Sequence, residues 1–170
     1  MEVLVAMAIL CVAVLAGIQL VAVATRMMSG ARASSIASTL AASRMEHLYS
    51  LRFEFDAAGI GSTDLTTDLS AEPAVPGGAG LAVSGAASLD GNVTGYSDFL
   101  DRHGAWLGNG TNAPPGTVFV RRWSVDAMDS AGDLLVLQVL VRPVSAGAAG
   151  GEQRVAGEVR FVTLRARTRR

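Results

Sequence analysis

The first 24 residues, MEVLVAMAILCVAVLAGIQLVAVA, constrain this chain more than any other stretch. Between Val3 and Ala24 the one clearly polar side chain is Gln19, and the first positive charge is Arg26. About 20 apolar residues in a helix cross the hydrocarbon core of a bilayer, so residues 1–24 read as a transmembrane segment. Glu2 stands out against that background. A charged side chain at the bilayer centre costs roughly 2.5–3.5 kcal/mol on insertion scales. Near an interface it still calls for a partner, or for a helix start where the macrodipole favours an acid.

Two fates compete for such a segment. One is a secretory signal cleaved after Ala22-Val23-Ala24, which fits a small-residue site and would leave Thr25 as the mature N-terminus. Against it, no basic residue precedes the apolar run, and the run exceeds the 7–15 residues usual for a signal core. The other is a retained anchor whose helix continues outward, and the next residues favour it. No proline occurs before Pro73, and residues 25–53 are rich in Ala, Ser, Arg, Met and Leu. Ile36, Leu40 and Leu51 fall on one helical face, widened by Ala37, Ala41 and Leu48, with Arg44 and His47 intruding on it. Ser29-Gly30 is a weak point where the helix could bend or loosen. Arg26 and Arg32 follow the span, so the positive-inside rule alone would put its C-terminal side in the cytoplasm.

Residues 54–115 turn to Gly, Ala, Ser, Thr, Asp and Pro, and read as a long variable loop region. Residues 116–166 then switch to β patterns. TVFVRRWSV alternates, with Phe119, Trp123 and Val125 on one side and Val118, Val120 and Arg122 on the other. LLVLQVLVRPV is apolar on both faces. RVAGEVRFVTLRAR places Val155, Val159 and Phe161 opposite Glu158, Arg160 and Val162. With short connections between them, these segments predict a three-stranded antiparallel meander. The cover available for it is the amphipathic half of the N-terminal helix. Residues 167–170 are left as a solvated basic tail. The fold class is α+β: a long helix, first transmembrane and then amphipathic, laid on a small antiparallel sheet.

Composition narrows the chemistry. Fourteen basic residues, all arginine, face fifteen acidic ones, and a net charge of −1 gives no pull towards nucleic acid. Cys11 is the only cysteine, so neither an internal disulfide nor a cysteine metal cluster is available. His47 and His103 have no metal partners at ligand spacing, and no nucleophile–base pair is apparent, so no enzyme and no cofactor are expected. The segment DGNVTGYSDFLD offers one metal alternative. Asp90, Asn92, Thr94, Asp98 and Asp101 occupy the first, third, fifth, ninth and twelfth positions of an EF-hand-like calcium loop, with Gly95 sixth. It ends in Asp rather than Glu and lacks clear flanking helices, so it reads more simply as an acidic turn region.

MEVLVAMAIL resembles the N-terminus of type IV pilins and pseudopilins, whose signature is roughly Gly-Phe-Thr-Leu-Ile-Glu followed by an apolar run. Glu2 matches the family's glutamate and Met1 the residue before it. The downstream pattern, RRWSV and then RFVTLRAR, is similar to minor pilins of the type IV pilus modification type and to small pseudopilins of type II secretion. The resemblance implies a filament subunit that assembles through its apolar helix. In it, Glu2 would pair with the N-terminal amine of a neighbouring subunit, because a buried charge is tolerable only when paired. It further implies other pilin subunits, an inner-membrane assembly platform and prepilin peptidase as partners. The location implied is single-pass in the inner membrane with a periplasmic C-terminal domain. The family's basic leader and its glycine are missing before Met1, so Met1 is expected to be an internal methionine with the leader upstream. That leader would also supply the positive charges the topology rule asks for. The alternative is a secreted β-rich binding domain with a cleaved signal.

Overall fold

The computed structural model describes residues 2–85, 87–144 and 157–169, with the backbone alone at residues 4, 8, 9 and 11–13. One helix, α1 (Glu2–Ser50), runs for 49 residues without a break at Ser29-Gly30. At 1.5 Å per residue it is about 73 Å long. Up to Ser29 its described side chains are exposed; from Ala33 onward one face packs on the rest of the chain.

Ten strands follow α1: β1 (Phe53–Phe55), β2 (Gly61–Thr63), β3 (Thr67–Asp68), β4 (Val75–Pro76), β5 (Ser97–Leu100), β6 (Trp106–Asn109), β7 (Phe119–Ala127), β8 (Leu134–Pro143), β9 (Val159–Ala166) and β10 (Thr168–Arg169). The expected meander is present: β7, β8 and β9 pair antiparallel in sequence order. The sheet is larger than a three-stranded one, however. It has five strands in the order β6-β5-β7-β8-β9. The two added strands come from residues 54–115, so that stretch is not the plain loop region its composition suggests. All four residues of β5 are buried.

The sheet buries the face carrying Trp123, Val125, Leu137, Val139 and Val141, and α1 lies across it. The helix contributes small side chains to the contact: Ala37 and Ala41 are fully buried, as is Leu48, with Ile36 and Leu40 partly buried at the flanks. Alanine at these positions lets the helix approach closely while Trp123 fills the layer between, as close packing of interiors requires. Gly157 marks where the sheet meets the helix lower down. It has φ +92°, and a Cβ there would lie 3.1 Å from Pro143 Cγ and 3.2 Å from Ala33 Cβ. Both its backbone and its surroundings call for glycine.

Two of the remaining expectations need correction. The second half of RVAGEVRFVTLRAR forms the strand, which starts at Val159; Val155 lies outside the described residues, and so does most of the connection before it. The basic tail is not simply solvated, since β10 pairs parallel with β1 in a small sheet of order β10-β1-β2.

Candidate assembly surface and the clamp that presents it

Glu2 begins α1 and is exposed, and so are Val5, Leu10, Val14, Ile18, Val21 and Met27 along the helix beyond it. Leu10, Val14, Ile18 and Val21 lie on one face, but exposed Val5, Leu15 and Leu20 point to the other sides of the axis, so no face of this half is reserved for the chain's own domain. One helix near the N-terminus is therefore long and apolar enough to cross a membrane. Arg26 and Arg32, also exposed, follow the apolar run.

The docked half is held at two levels by arginines. At the lower level Asp98, at the centre of buried β5, receives both Arg44 from α1 and Arg121 from β7. Arg44 Nη2 and Arg121 Nη2 each lie 2.6 Å from Asp98 Oδ2, and Arg121 Nε donates to Oδ1 at 3.0 Å. Arg44 is 1% exposed and Asp98 0%. Arg44 also donates to the Leu69 carbonyl, and its guanidinium stands 4.6 Å over the Trp123 ring. Arg121 reaches the Leu40 carbonyl at 3.3 Å and lies 3.7 Å from Glu72, whose side chain is half exposed. Burial pulls the Arg44 guanidinium down to about 10; Arg121 adds to that, and Asp98 and Glu72 act against it. Two cations share one carboxylate, so Asp98 is the member whose loss leaves buried charges unpaired, whereas loss of either arginine leaves the other one paired with it.

The upper level is a ladder of alternating arginines. Residues 165, 167 and 169 share one side of the final extended segment, each stacked on an aromatic ring. Arg165 lies 5.4 Å from both Tyr49 and Phe53, Arg167 4.2 Å from Phe53, and Arg169 6.0 Å from Phe55. Arg165 donates to the carbonyls of Leu48 and Leu51 at 2.7 and 2.6 Å, satisfying acceptors that a helix end leaves open. Desolvation lowers its pKa. Arg167 binds Asp133 Oδ1 at 2.7 Å, the Ser62 carbonyl at 2.9 Å and the Gly132 carbonyl at 3.1 Å, tying the β7–β8 turn to β2. Tyr49 completes this level, sharing a 2.8 Å hydrogen bond with Thr163 and donating to the Leu164 carbonyl.

The calcium alternative does not survive this geometry. Asp98 has both oxygens engaged by arginines in the core. The Asn92 side-chain oxygen accepts from Arg122 Nε, and Asp101 Oδ1 accepts the backbone N–H groups of His103 and Ala105. The five positions lie along a buried strand and its flanking turns, and no group of three or more His, Cys, Asp or Glu among the described residues is placed to hold a metal. His47 is exposed, and His103 accepts from Arg102.

What the residue pattern missed was the pairing of Arg44 with Asp98 and Arg121. A trace of it was present: Arg44 stands between Ala41 and Leu48 at spacings of three and four, in the middle of the buried stripe. The ladder too left a mark, in the period of two in RART followed by a further arginine. No protein-family profile, curated protein or solved structure matches this chain.

Proposed function

We propose that this chain is a pilin-like subunit, a minor pilin or pseudopilin, which assembles into a filament through the apolar half of α1. The observation that carries the reading is the division of one unbroken helix. Its first half exposes apolar side chains on every side, while its second half is fixed to an antiparallel sheet. An apolar helix of that length is stable in lipid or among its own kind, and a subunit that exchanges one for the other needs both conditions. In this reading the chain waits in the inner membrane with its domain in the periplasm and is processed by prepilin peptidase. An assembly platform then extracts it, and Glu2 selects axial register by pairing with a neighbour's N-terminal amine. Its work is association rather than chemistry.

The test is Glu2→Ala in the complete gene. Incorporation into a co-purified filament should fall at least tenfold while the domain unfolds at an unchanged temperature. Unchanged incorporation would overturn the role of Glu2. Mass spectrometry of the mature protein separates this reading from a secreted binding domain: an N-methylated residue directly before Glu2 supports the filament subunit, and a chain beginning at Thr25 rejects it.

A further inference from the structure

The five-stranded sheet ends in two edges that differ in chemistry and agree in direction. β9 pairs with β8 alone among the described residues, and β6 with β5 alone. Each successive pairing from β6 to β9 is antiparallel, so β6 and β9 both run parallel to β7. β9 also runs alongside α1 in the helix's own sense: Gly157, just before it, lies against Ala33, and Thr163 and Leu164 within it meet Tyr49.

β9 is an eight-residue edge of the kind that stable monomers usually cover or charge. Val162 and Leu164 are 59% and 58% exposed, beside half-buried Val136 and Leu140 of β8. Its exposed charge is Arg160, which donates to Gln138. The opposite side is acidic. Segment 70–72 lies against β6 through hydrogen bonds from Trp106 Nε1 and Asn109 Nδ2 to Ser70, and brings there Glu72, half exposed although 3.7 Å from Arg121. Asn92 bonds the Thr111 carbonyl just beyond β6, and Arg122, donating to the Asn92 side chain and the Asp90 carbonyl, holds Asp90 on the same side. The imbalance runs through the whole chain: residues 54–115 carry eight carboxylates and one arginine, and the remainder thirteen arginines and seven carboxylates.

We infer that the β9 edge of one copy docks against the β6 side of the next, joining co-oriented subunits side by side. This rests on the reading above, because anchoring by one helix in one membrane is what makes all copies point the same way. Asn109 at the end of β6 is level with Val159 at the start of β9. Co-oriented neighbours displaced along the strands by about four residues therefore place β9 beside a strand of the same direction and Arg160 on the carboxylate-bearing side of β6. A two-fold contact of β9 with a second β9 would set Arg160 against its own copy, which is unfavourable. A contact between two different patches does not close on itself at two subunits and extends into a helical array when the rotation does not close.

Cysteine cross-linking of full-length chains in membranes tests the inference, in a Cys11→Ser background that removes the native thiol. Chains carrying Val162→Cys and chains carrying Leu107→Cys, differently tagged and co-expressed, should yield a mixed disulfide dimer on mild oxidation. It should exceed any Val162→Cys homodimer at least tenfold, and Arg160→Glu should reduce it severalfold. A dominant Val162→Cys homodimer overturns the inference in favour of a two-fold contact. A Val14→Cys chain reports separately on helix–helix contact. Cross-linking through Val14→Cys without any mixed dimer overturns the lateral contact and leaves the filament reading standing; loss of both overturns the two together.

Discussion

The two halves of α1 share one backbone and nearly opposite surroundings. Between Val3 and Met28 the described side chains are exposed and, apart from Gln19, Thr25 and Arg26, apolar; adding a Cβ at Gly17 would meet nothing within 4 Å. Between Ala33 and Ser50 one face of the helix is packed on the domain, and its deepest contacts are Ala37, Ala41, Arg44 and Leu48. The more hydrophobic half is the exposed one, and the half that packs carries a buried arginine. Hydrophobicity alone thus does not decide which part of this helix joins the core. Shape and charge pairing do, because small alanines permit close approach and Asp98 gives Arg44 a specific partner.

That contrast can be broken most severely at Asp98. Asp98→Asn leaves Arg44 and Arg121 facing each other in the core, and should destabilise the domain by about 3–5 kcal/mol. Chemical denaturation of the full chain in detergent, followed by the fluorescence of Trp106 and Trp123, would read this out. If the change were below about 1 kcal/mol, the triad would not be what fixes the helix. Arg167→Ala comes next. It removes charged hydrogen bonds and the stacking on Phe53, and should lower stability by about 2–3 kcal/mol. Hydrogen exchange should rise in β1, β2 and the β7–β8 turn, with the lower triad left intact.

The smaller effects sharpen the comparison from the other side. Gly17→Ala should leave domain unfolding within about 0.5 kcal/mol of the parent in the same denaturation assay, since position 17 touches nothing in the domain. The mildest effect concerns acid. Asp64 is held below its ordinary value of 3.8, first by the Thr67 hydroxyl and then by the backbone N–H groups of Thr66 and Thr67. A carboxylate with a depressed folded pKa contributes stability that is fully present above its unfolded pKa and lost as pH falls through the folded one. Stability should therefore decline below pH 3.8, and Thr67→Val should narrow that decline. Circular dichroism in detergent should show the helical signal of the free half persisting after the domain has opened.

Much of the architecture was legible because it depends on local pattern. The apolar run, the absence of proline before Pro73 and the alternation in β7 and β9 are each sufficient to identify their elements. β5 was hidden because Ser97-Asp98-Phe99-Leu100 puts a carboxylate in a central strand, and an acid there makes sense only once two arginines from distant parts of the chain are known to meet it. Arg44 misled for the same reason: on a helical wheel it interrupts the stripe, yet in the fold it is the stripe's centre. In RARTR the alternation is visible, but the rings it stacks on lie more than 100 residues earlier, and no local signal connects them. Glu2 was conspicuous from the outset, since one acid in an apolar run can be seen without any partner.

The arginine ladder also has a consequence for timing. Residues 165–169 complete contacts with residues 48–63, so the far end of α1 acquires its last bonds only after nearly all of this sequence has left the ribosome. The apolar half can enter a bilayer long before that. A chain interrupted ahead of Arg165 would keep its helix but leave the end of it, at residues 48–51, unfastened from β9. Such a chain would be an open target for proteolysis, which makes Arg165 and Arg167 a late fastening of the helix to the sheet as well as a set of contacts.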